Sequence, residues 1–204
     1  MEIVCLDLEG VLIPEVWIKF AEKTGIDELR VTTREEPNYD LLMQRRLRIL
    51  DAHNLGIKEI QEVVKTIEPL PGAVEFMQWL RQHFQVVILS DTYYEFVLPL
   101  MLPLGNPTLL CHRLEIDDKG KVTNYVLRQK DPKRHAVEAF KSLNFRVMAA
   151  GDSYNDTTML AAAHAGFLFH APANVIAEFP QFPALNNYAE LKQAFTKASN
   201  RKPG

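Results

Sequence analysis

Two pairs of acidic residues directly follow apolar runs that are typical of buried strands. Asp7 and Glu9 come after the run 3–6, and Asp152 and Asp156 come after the run 146–150. Ligands of an open α/β sheet bind beyond the carboxyl ends of its strands, so acids distant in sequence can meet there. Concentrated carboxylates repel one another unless a cation lies among them. The pattern therefore predicts a Mg²⁺-dependent phosphoryl-transfer site built around a nucleophilic aspartate.

The spacing of Asp7 and Glu9 suits two different tasks at one ligand. Residues two apart in an extended chain project to the same side, so both carboxylates can face one molecule. One can attack phosphorus, while the other exchanges a proton with the leaving oxygen. The alternative is that these acids only end a strand and cap the next element, since acids are common at strand ends.

The run from Gly151 to Asp156 is a more specific signal. Asp152 ends a strand, and Asp156 falls in the first turn of the following helix. This arrangement suits a hard cation that is held through carboxylate oxygens, directly or through water. The alternative reading makes the two acids a helix N-cap and a first-turn acid.

A serine and a lysine complete the set of polar residues that could bind phosphate. Ser90 follows the run 85–89, where its hydroxyl and nearby amides could receive a phosphate at a helix N-terminus; an N-cap serine without a ligand is the alternative. Lys133 lies at the start of a predicted helix, where the helix dipole makes a positive charge unfavourable unless an anion lies nearby. Lys130 competes with Lys133 for this role.

Composition limits the class of protein and its partners. The chain has 204 residues, 47% of them hydrophobic and 24% charged, with a net charge of −3. This is enough for one substantial core with a small insert, and it gives no electrostatic footprint for nucleic acid or an anionic membrane. Cys5 and Cys111 are too far apart for a disulfide framework or a zinc site. With no leader peptide or long apolar stretch, we expect a cytoplasmic protein.

The predicted elements alternate between strands and helices, with one interruption. After a strand at about 2–8, three helical patterns come in succession without a strand between them. They lie at about 14–24, 38–53 and 57–67. The alternation then resumes with helix 73–83, strand 85–89, a helix from about 92 that Pro99 and Pro103 bend or end, a hairpin within 108–128, helix 132–143, strand 146–150, helix 155–164, strand 166–169 and a helix near 187–198. A short disordered tail is expected after about 199.

One arginine in the insert occupies a position that is otherwise apolar. The predicted helix 38–53 has an apolar stripe that includes position 46, so Arg46 points inward while Arg45 and Arg48 point to solvent. A buried guanidinium favours a carboxylate, which it can bind through two hydrogen bonds. Glu15 could meet either Arg46 or the ammonium group of a substrate. An internal salt bridge between Glu15 and Arg46 is the alternative.

With these four motifs in order, the chain resembles the haloacid dehalogenase superfamily. The resemblance implies a doubly wound, mostly parallel α/β sheet at 1–13 and 70–204, with a small helical cap at 14–69 inserted after the first strand. It implies Asp7 as nucleophile and metal ligand, and Glu9 as acid/base and backbone-carbonyl metal ligand. It also places Ser90 and Lys133 on phosphate and Asp152 on Mg²⁺, with Asp156 supporting the metal site.

The helical insert directly after the first motif resembles the cap of phosphoserine phosphatases, but the chain departs from those enzymes at two places. Glu9 stands where those enzymes have aspartate, and Asp91 and Thr92 follow Ser90 where they have two glycines. The chain resembles the bifunctional phosphoserine phosphatase/homoserine phosphotransferase proteins in both respects. Asp91 and Thr92 add polar groups that could hold an extra hydroxyl.

The narrower resemblance implies phosphoserine and homoserine as small-molecule substrates. Glu15 and Arg46 would hold the amino and carboxyl groups of phosphoserine, and Asn155 would join Asp91 and Thr92 in binding substrate. A phosphatase for another small ester and a non-catalytic phospho-ligand-binding protein are the alternatives. No nucleic-acid or membrane partner is expected, and a homodimer is one option for the oligomeric state, which the sequence leaves open.

Overall fold

A single sheet forms the centre of the computed structural model, which describes residues 1–33, 35–36 and 38–200. Its strands are β1 (Glu2–Leu6), β2 (Gln85–Tyr93), β3 (Thr108–Ile116), β4 (Val122–Val126), β5 (Arg146–Gly151), β6 (Ala165–Phe169) and β7 (Ala184–Leu185). Their order is β4-β3-β2-β1-β5-β6-β7. Neighbouring strands are parallel except for the antiparallel pair β3 and β4. The predicted mostly parallel α/β sheet is therefore confirmed.

Helices cover both faces of this sheet. They are α1 (Val16–Thr24), α2 (Tyr39–Ala52), α3 (Ile57–Val64), α4 (Ala73–His83), α5 (Tyr94–Met101), α6 (Pro132–Ser142), α7 (Thr157–Ala162), α8 (Ala173–Glu178) and α9 (Tyr188–Ala198), with 3₁₀ turns at Asp27–Arg30 and Tyr154–Asp156. Alternate residues of β1 enter two separate apolar layers: Val4 and Leu6 join one, and Ile3 and Cys5 join the other. This burial on both faces explains why residues 3–6 of β1 are all apolar rather than alternating.

The insert between β1 and α4 contains α1, α2 and α3. Asn38 caps α2, because its side-chain oxygen accepts hydrogen bonds from the amides of Asp40 and Leu41. The chain leaves and re-enters the sheet region at one point, where the Leu70 amide donates to the Leu12 carbonyl at 2.9 Å. This junction lies near the predicted boundaries, and the division into two domains stays a prediction.

The hairpin of β3 and β4 packs against the insert. The Ile57 amide donates to the Gly120 carbonyl at 2.9 Å, and a salt bridge of 2.5 Å joins Lys121 to Asp51. Tyr125 also hydrogen bonds to Asp40 at the start of α2. The hairpin therefore connects the insert to the edge of the sheet.

The structure adds to or differs from the sequence predictions at three places. Strand β2 extends to Tyr93, because Tyr93 still pairs with His112 after a shift in register, so the helix begins two residues later than expected. Helix α8 and strand β7 are short and were not expected. Asn200 is held by a hydrogen bond from its amide to Glu2 at 2.7 Å, while the rest of the expected tail, 201–204, lies outside the described residues. None of the described helices has the length and apolar character to span a membrane.

Candidate active site

The adjacent ends of β1 and β5 bring the two acidic motifs together. Leu6 is aligned with Ala150 across these parallel strands, and the Asp7 amide continues the ladder to the Ala150 carbonyl at 3.0 Å. Asp7 and Asp152 lie just beyond the aligned residues, and they are only 5% and 1% exposed. Two carboxylates distant in sequence are thereby buried side by side at one edge of the sheet.

Lys133 supplies the positive charge among these acids. Its Nζ lies 2.7 Å from Asp156 Oδ1, 2.9 Å from Asp7 Oδ1 and 3.9 Å from Asp91 Oδ2. Burial by itself would lower the pKa of Lys133, but these three carboxylates raise it well above its usual range. Lys130 is exposed and lines a neighbouring cavity. The structure thus places Lys133, and not Lys130, against Asp7.

Asp156 has a structural task that the sequence did not indicate. Its Oδ2 accepts hydrogen bonds from the amides of Asp152 at 2.9 Å and Ser153 at 3.2 Å, while Oδ1 accepts from Lys133. A side chain at Gly151 would place its Cβ within 2.3 Å of the Asp156 carboxyl carbon. Asp156 therefore holds the turn after β5 in the conformation that presents Asp152.

The carboxylates of Asp7, Asp152 and Asp156 form a donor set that fits a metal ion. One oxygen from each lies within 4.8 Å of the others, and all three residues are buried. Burial, followed by the charge of Asp156, raises the pKa of Asp7 well above its usual range. Gly10 has a φ of 76°, and a Cβ there would lie 2.5 Å from Asp152 Oδ2. A cradle of crowded oxygens with one lysine for three acids suits a hard divalent cation.

Glu9 lies where the sheet meets the insert. Its Oε2 accepts a hydrogen bond of 2.8 Å from the amide of Val16, the first residue of α1. Burial raises the pKa of Glu9, and this effect exceeds the opposing effects of the Val16 amide, Arg46 and Glu15. A carboxyl group with a raised pKa is well suited to hold a proton and donate it to a leaving oxygen.

Ser90 does not lie at a helix N-terminus, contrary to the sequence prediction. It lies within β2, in the segment between Leu89 and Tyr93 where the pairing with β3 shifts register. Ser90 is buried and accepts a weak hydrogen bond of 3.3 Å from the Thr92 amide. Its hydroxyl lines the same pocket as Asp7, so it can still meet a phosphate there.

Asp91 is fixed from several directions. Its Oδ1 lies 3.2 Å from His112 Nε2, and its Oδ2 accepts from Asn155 Nδ2 at 2.6 Å. The Tyr39 hydroxyl donates to its backbone carbonyl at 2.8 Å. Burial opposes ionisation of Asp91, but Lys133, His112 and Asn155 together lower its pKa to about 2. Asp91 is therefore a fixed anion in the pocket wall.

Arg46 is the buried cation of the insert. It is 6% exposed, whereas Arg45 and Arg48 on the same helix are exposed, as the apolar stripe predicts. Its guanidinium lies 4.5 Å above the Trp17 ring and donates to the Val31 carbonyl at 3.1 Å.

The remaining hydrogen-bonding capacity of Arg46 is poorly used. Among the described residues, the hydrogen-bond partner of Nη1 is the Met43 sulfur at 3.6 Å, and Nε has none. The salt bridges between described residues do not include one from Arg46 to Glu15. The guanidinium therefore has donors available for a ligand.

Most of the predicted site residues line one pocket between the sheet and the insert. Its lining consists of Asp7, Glu9, Glu15, Trp17, Thr32, Thr33, Tyr39, Arg46, Ser90, Asp91, Asp152, Ser153 and Asn155. Lys133 and Asp156 lie directly behind Asp7. Thr92 is buried outside this lining, and its hydroxyl has no hydrogen-bond partner in the described part of the chain. Tyr39, on the apolar stripe of α2, packs against the core and also lines this pocket.

Comparison with known proteins identifies the class of this protein. A family model described as a haloacid dehalogenase-like hydrolase matches residues 1–164. The chain belongs to the haloacid dehalogenase-like hydrolase family, as its four motifs indicate. Over 201 residues it is 70% identical to phosphoserine phosphatase ThrH of Pseudomonas aeruginosa, with 98% of each chain covered. Over 202 residues it is 67% identical to a phosphoserine phosphatase of Pseudomonas syringae pv. tomato, covering 99% of this chain and 85% of that relative.

Solved structures show the same fold at low sequence identity. A phosphoserine phosphatase in apo form has a TM-score of 0.78 at 21% identity, with 94% of this chain and 98% of that chain covered. A phospho-aspartyl intermediate analogue of phosphoserine phosphatase has a TM-score of 0.79 at 20% identity, with 94% and 97% covered. These likenesses establish the architecture around the pocket.

Proposed function

We propose that this chain is a Mg²⁺-dependent phosphatase for O-phosphoserine that acts through an aspartyl phosphate on Asp7 and can pass the phosphoryl group to homoserine. One observation carries the proposal: a single pocket joins buried Asp7, beside Lys133, to buried Arg46 with unused donors. The part of the pocket around Asp7 and Lys133 suits a phosphate ester, and the part around Arg46 suits a carboxylate. The names of the two close relatives support phosphoserine as the substrate.

In the first half of the reaction, Asp7 attacks phosphorus. A bond forms between a carboxylate oxygen of Asp7 and phosphorus, while the bond from phosphorus to the serine oxygen breaks. The raised pKa of Glu9 keeps a proton available, and that proton goes to the serine oxygen as it leaves. Lys133 and Ser90 stabilise the negative charge on the phosphoryl oxygens.

In the second half, a water or an alcohol attacks the phosphorus of the aspartyl phosphate. Glu9, now ionised, removes the proton from the attacking oxygen, and the carboxylate of Asp7 is released. Water gives inorganic phosphate, and the hydroxyl of homoserine gives phosphohomoserine. Homoserine is longer than serine by one methylene, a difference that a single pocket discriminates only weakly.

The same acids would hold Mg²⁺. Asp7 and Asp152 would contribute carboxylate oxygens, Glu9 its backbone carbonyl, and Asp156 would support the site while it orders the turn. When bound, the ion neutralises the crowded carboxylates and polarises the phosphoryl group. The ion would then share with Lys133 the balancing of the negative charge on the three buried acids.

Recognition of the amino acid is assigned to the insert, residues 14–69, acting as a cap on the core formed by 1–13 and 70–204. Arg46 binds the substrate carboxylate through the donors that the protein leaves unused, and Glu15 at the start of the insert receives the ammonium group. Asp91 and Asn155 form the opposite wall, where an added hydroxyl can be held.

A panel of phosphorylated small molecules tests this proposal. Phosphoserine, phosphothreonine, a sugar phosphate and p-nitrophenyl phosphate are assayed with Mg²⁺ or with EDTA, and each with and without homoserine. We expect Mg²⁺-dependent turnover with phosphoserine as the best substrate, and phosphohomoserine when homoserine is added. Preference for a different ester identifies another phosphatase of the family, and binding without turnover identifies a non-catalytic protein.

A further inference from the structure

We propose that His112 is a positioning residue that sets the orientation of Asp91 and Asn155 at the substrate pocket. The inference rests on the proposed function and deepens it. His112 lies on β3, away from the motifs that carry the chemistry, and is only 2% exposed. It connects the hairpin to the pocket wall through a continuous chain of hydrogen bonds.

One backbone contact determines which nitrogen of His112 donates and which accepts a hydrogen bond. The Arg128 amide donates to His112 Nδ1 at 3.1 Å, so Nδ1 must carry a lone pair. The proton of the neutral ring therefore lies on Nε2, which donates to Asp91 Oδ1 at 3.2 Å. The backbone amide of Arg128, two residues after the end of β4, thus fixes both the tautomer and the orientation of the imidazole.

From Asp91 the series of hydrogen bonds continues into the pocket. Asp91 Oδ2 accepts from Asn155 Nδ2 at 2.6 Å, and the Ser153 hydroxyl donates to the Asn155 side-chain oxygen. These two contacts fix which end of the Asn155 amide is nitrogen. An amide nitrogen has two protons, so one remains for an oxygen of a molecule in the pocket that Asn155 lines. His112 acts on that proton only through Asp91.

Without these hydrogen bonds the Asp91 carboxylate would be free to rotate, and this rotation would disturb the pocket. Asp91 Oδ2 is 3.9 Å from Lys133 Nζ, and Asp91 lies in the wall that also contains Asp7. Without the Nε2 donor, the carboxylate could rotate toward Lys133 and release Asn155. That rotation would weaken binding of the donor or acceptor while leaving Asp7 in place. Loss of a hydrogen bond to a buried charge is worth about a tenfold change or more in an equilibrium.

Two substitutions at His112 separate its two hydrogen bonds. In His112→Gln the amide nitrogen takes the approximate place of Nε2 and can still donate to Asp91. In His112→Asn the side-chain oxygen takes the place of Nδ1 and can accept from the Arg128 amide, but the donor to Asp91 is lost. Each variant loses one of the two hydrogen bonds of His112 and keeps the other. Thermal unfolding of both variants checks that their folds are equally stable.

We measure KM and kcat for phosphoserine in both variants. We expect His112→Asn to raise KM at least about tenfold with kcat within about threefold, and His112→Gln to keep KM within about threefold of the unchanged chain. Damage to the fold alone would lower the active fraction, which reduces kcat and leaves KM unchanged. Equal KM values in the two variants would overturn the proposal.

A double variant tests whether His112 acts through Asp91. In an Asp91→Ala background, His112→Asn should raise KM no further, because the carboxylate that it orients is gone. A second full increase would place His112 in direct contact with substrate and contradict a positioning role. If His112→Asn does not fold, ¹⁵N NMR of the unchanged chain still decides: an Nδ1–H tautomer or a charged ring at neutral pH is incompatible with this chain of hydrogen bonds.

Failure of the proposed function is distinguishable from failure of this inference. If the unchanged chain hydrolyses p-nitrophenyl phosphate but not phosphoserine, the substrate assignment is wrong. The same variants are then compared on the best ester of the panel, where the difference between His112→Asn and His112→Gln must still appear in KM.

Discussion

The two sides of the pocket differ in how completely their charges are satisfied. On the sheet side, Lys133 lies within 3.0 Å of both Asp7 and Asp156, and the backbone amides of the turn bind the second oxygen of Asp156. On the insert side, Arg46 is equally buried, yet Nε has no hydrogen-bond partner in the described residues. On the sheet side the protein itself satisfies the charges, whereas on the insert side Arg46 keeps a donor that a ligand would satisfy.

This difference suits the sheet side to the chemical step and the insert side to recognition of the substrate. Groups that stabilise a transition state act best when they are fixed in advance, because no reorganisation is needed during the reaction. Burial lowers the pKa of Arg46, and a buried guanidinium with unused donors is costly. A carboxylate bound there relieves this cost. Variants on the two sides should therefore fail in different ways.

The largest effect is expected for Asp7→Asn on the sheet side. The amide is nearly isosteric with the carboxylate but cannot attack phosphorus, so turnover should fall by about 10³-fold or more with every phosphate ester. Phosphoenzyme, detected by intact-mass spectrometry after mixing with substrate, should be absent. Circular dichroism should confirm that the fold is retained. Steady turnover near the normal rate by this variant would end the covalent mechanism.

Arg46→Ala on the insert side should be selective where Asp7→Asn is not. Loss of a desolvated, charge-assisted pair is worth ~2–5 kcal/mol, so kcat/KM for phosphoserine should fall by at least about 30-fold. The value for p-nitrophenyl phosphate, which has no carboxylate, should change much less. Arg45→Ala is the matched control, because Arg45 is its exposed neighbour on α2.

Equal losses on the two esters would show that Arg46 serves the fold of the insert. Its position over Trp17 makes that outcome testable in a second way. If the arginine is chiefly structural, Arg46→Ala should lower the unfolding temperature as well as both activities. If it is chiefly for recognition, the empty variant should be about as stable as the unchanged chain, because a buried charge with unused donors has been removed.

The sheet side is also the side that the sequence predicts well. The motifs of Asp7 and Asp152 come after strands whose interiors are apolar, and the parallel ladder that aligns Leu6 with Ala150 brings them together. The ambiguity between Lys130 and Lys133 could not be resolved from local pattern. Both lysines lie near one helix start, and only the fold shows which one reaches the carboxylates.

Residues that act over long range escaped sequence analysis. Tyr39 lies on the apolar stripe of α2, yet its hydroxyl reaches across the pocket to Asp91 and Tyr93. His112 belongs to a strand with no recognisable motif. Ser90 was expected at a helix start, but pairing of Tyr93 with His112 extends the strand past it. In each case a tertiary contact, which has no local signature, decides the outcome.

A third prediction concerns the metal cradle on the sheet side. Asp152→Asn removes one of three charges that would hold Mg²⁺ while keeping a side chain of similar shape. The Mg²⁺ concentration for half-maximal activity should rise about tenfold or more, and the rate at saturating Mg²⁺ should fall as well. The control is Asp118→Asn, because Asp118 is an exposed acid in the hairpin turn. An unchanged Mg²⁺ dependence would remove Asp152 from the cation site.

The smallest effect is expected at Glu9, where the two sides meet. Its carboxylate is tied to α1 by the Val16 amide and lies close enough to Arg46 and Lys133 for both to affect its pKa. A general base must come within about 2.6–3.2 Å of the attacking oxygen. Glutamate is longer than aspartate by one methylene, so its carboxylate reaches farther toward the insert. We expect this position to favour a hydroxyl of a bound acceptor over a small water.

Glu9→Asp should therefore shift the balance from transfer toward hydrolysis. Orientation of the acceptor contributes a large effective concentration, so a small change in the position of the base alters how the phosphoryl group is divided. A difference of ~0.5–1 kcal/mol would raise the ratio of inorganic phosphate to phosphohomoserine about two- to fivefold at fixed homoserine. Both products are quantified in one reaction, so the ratio is independent of the active fraction. If both rates fall together and the ratio stays constant, Glu9 does not control partition, and the wall formed by Asp91 and Asn155 becomes the region that does.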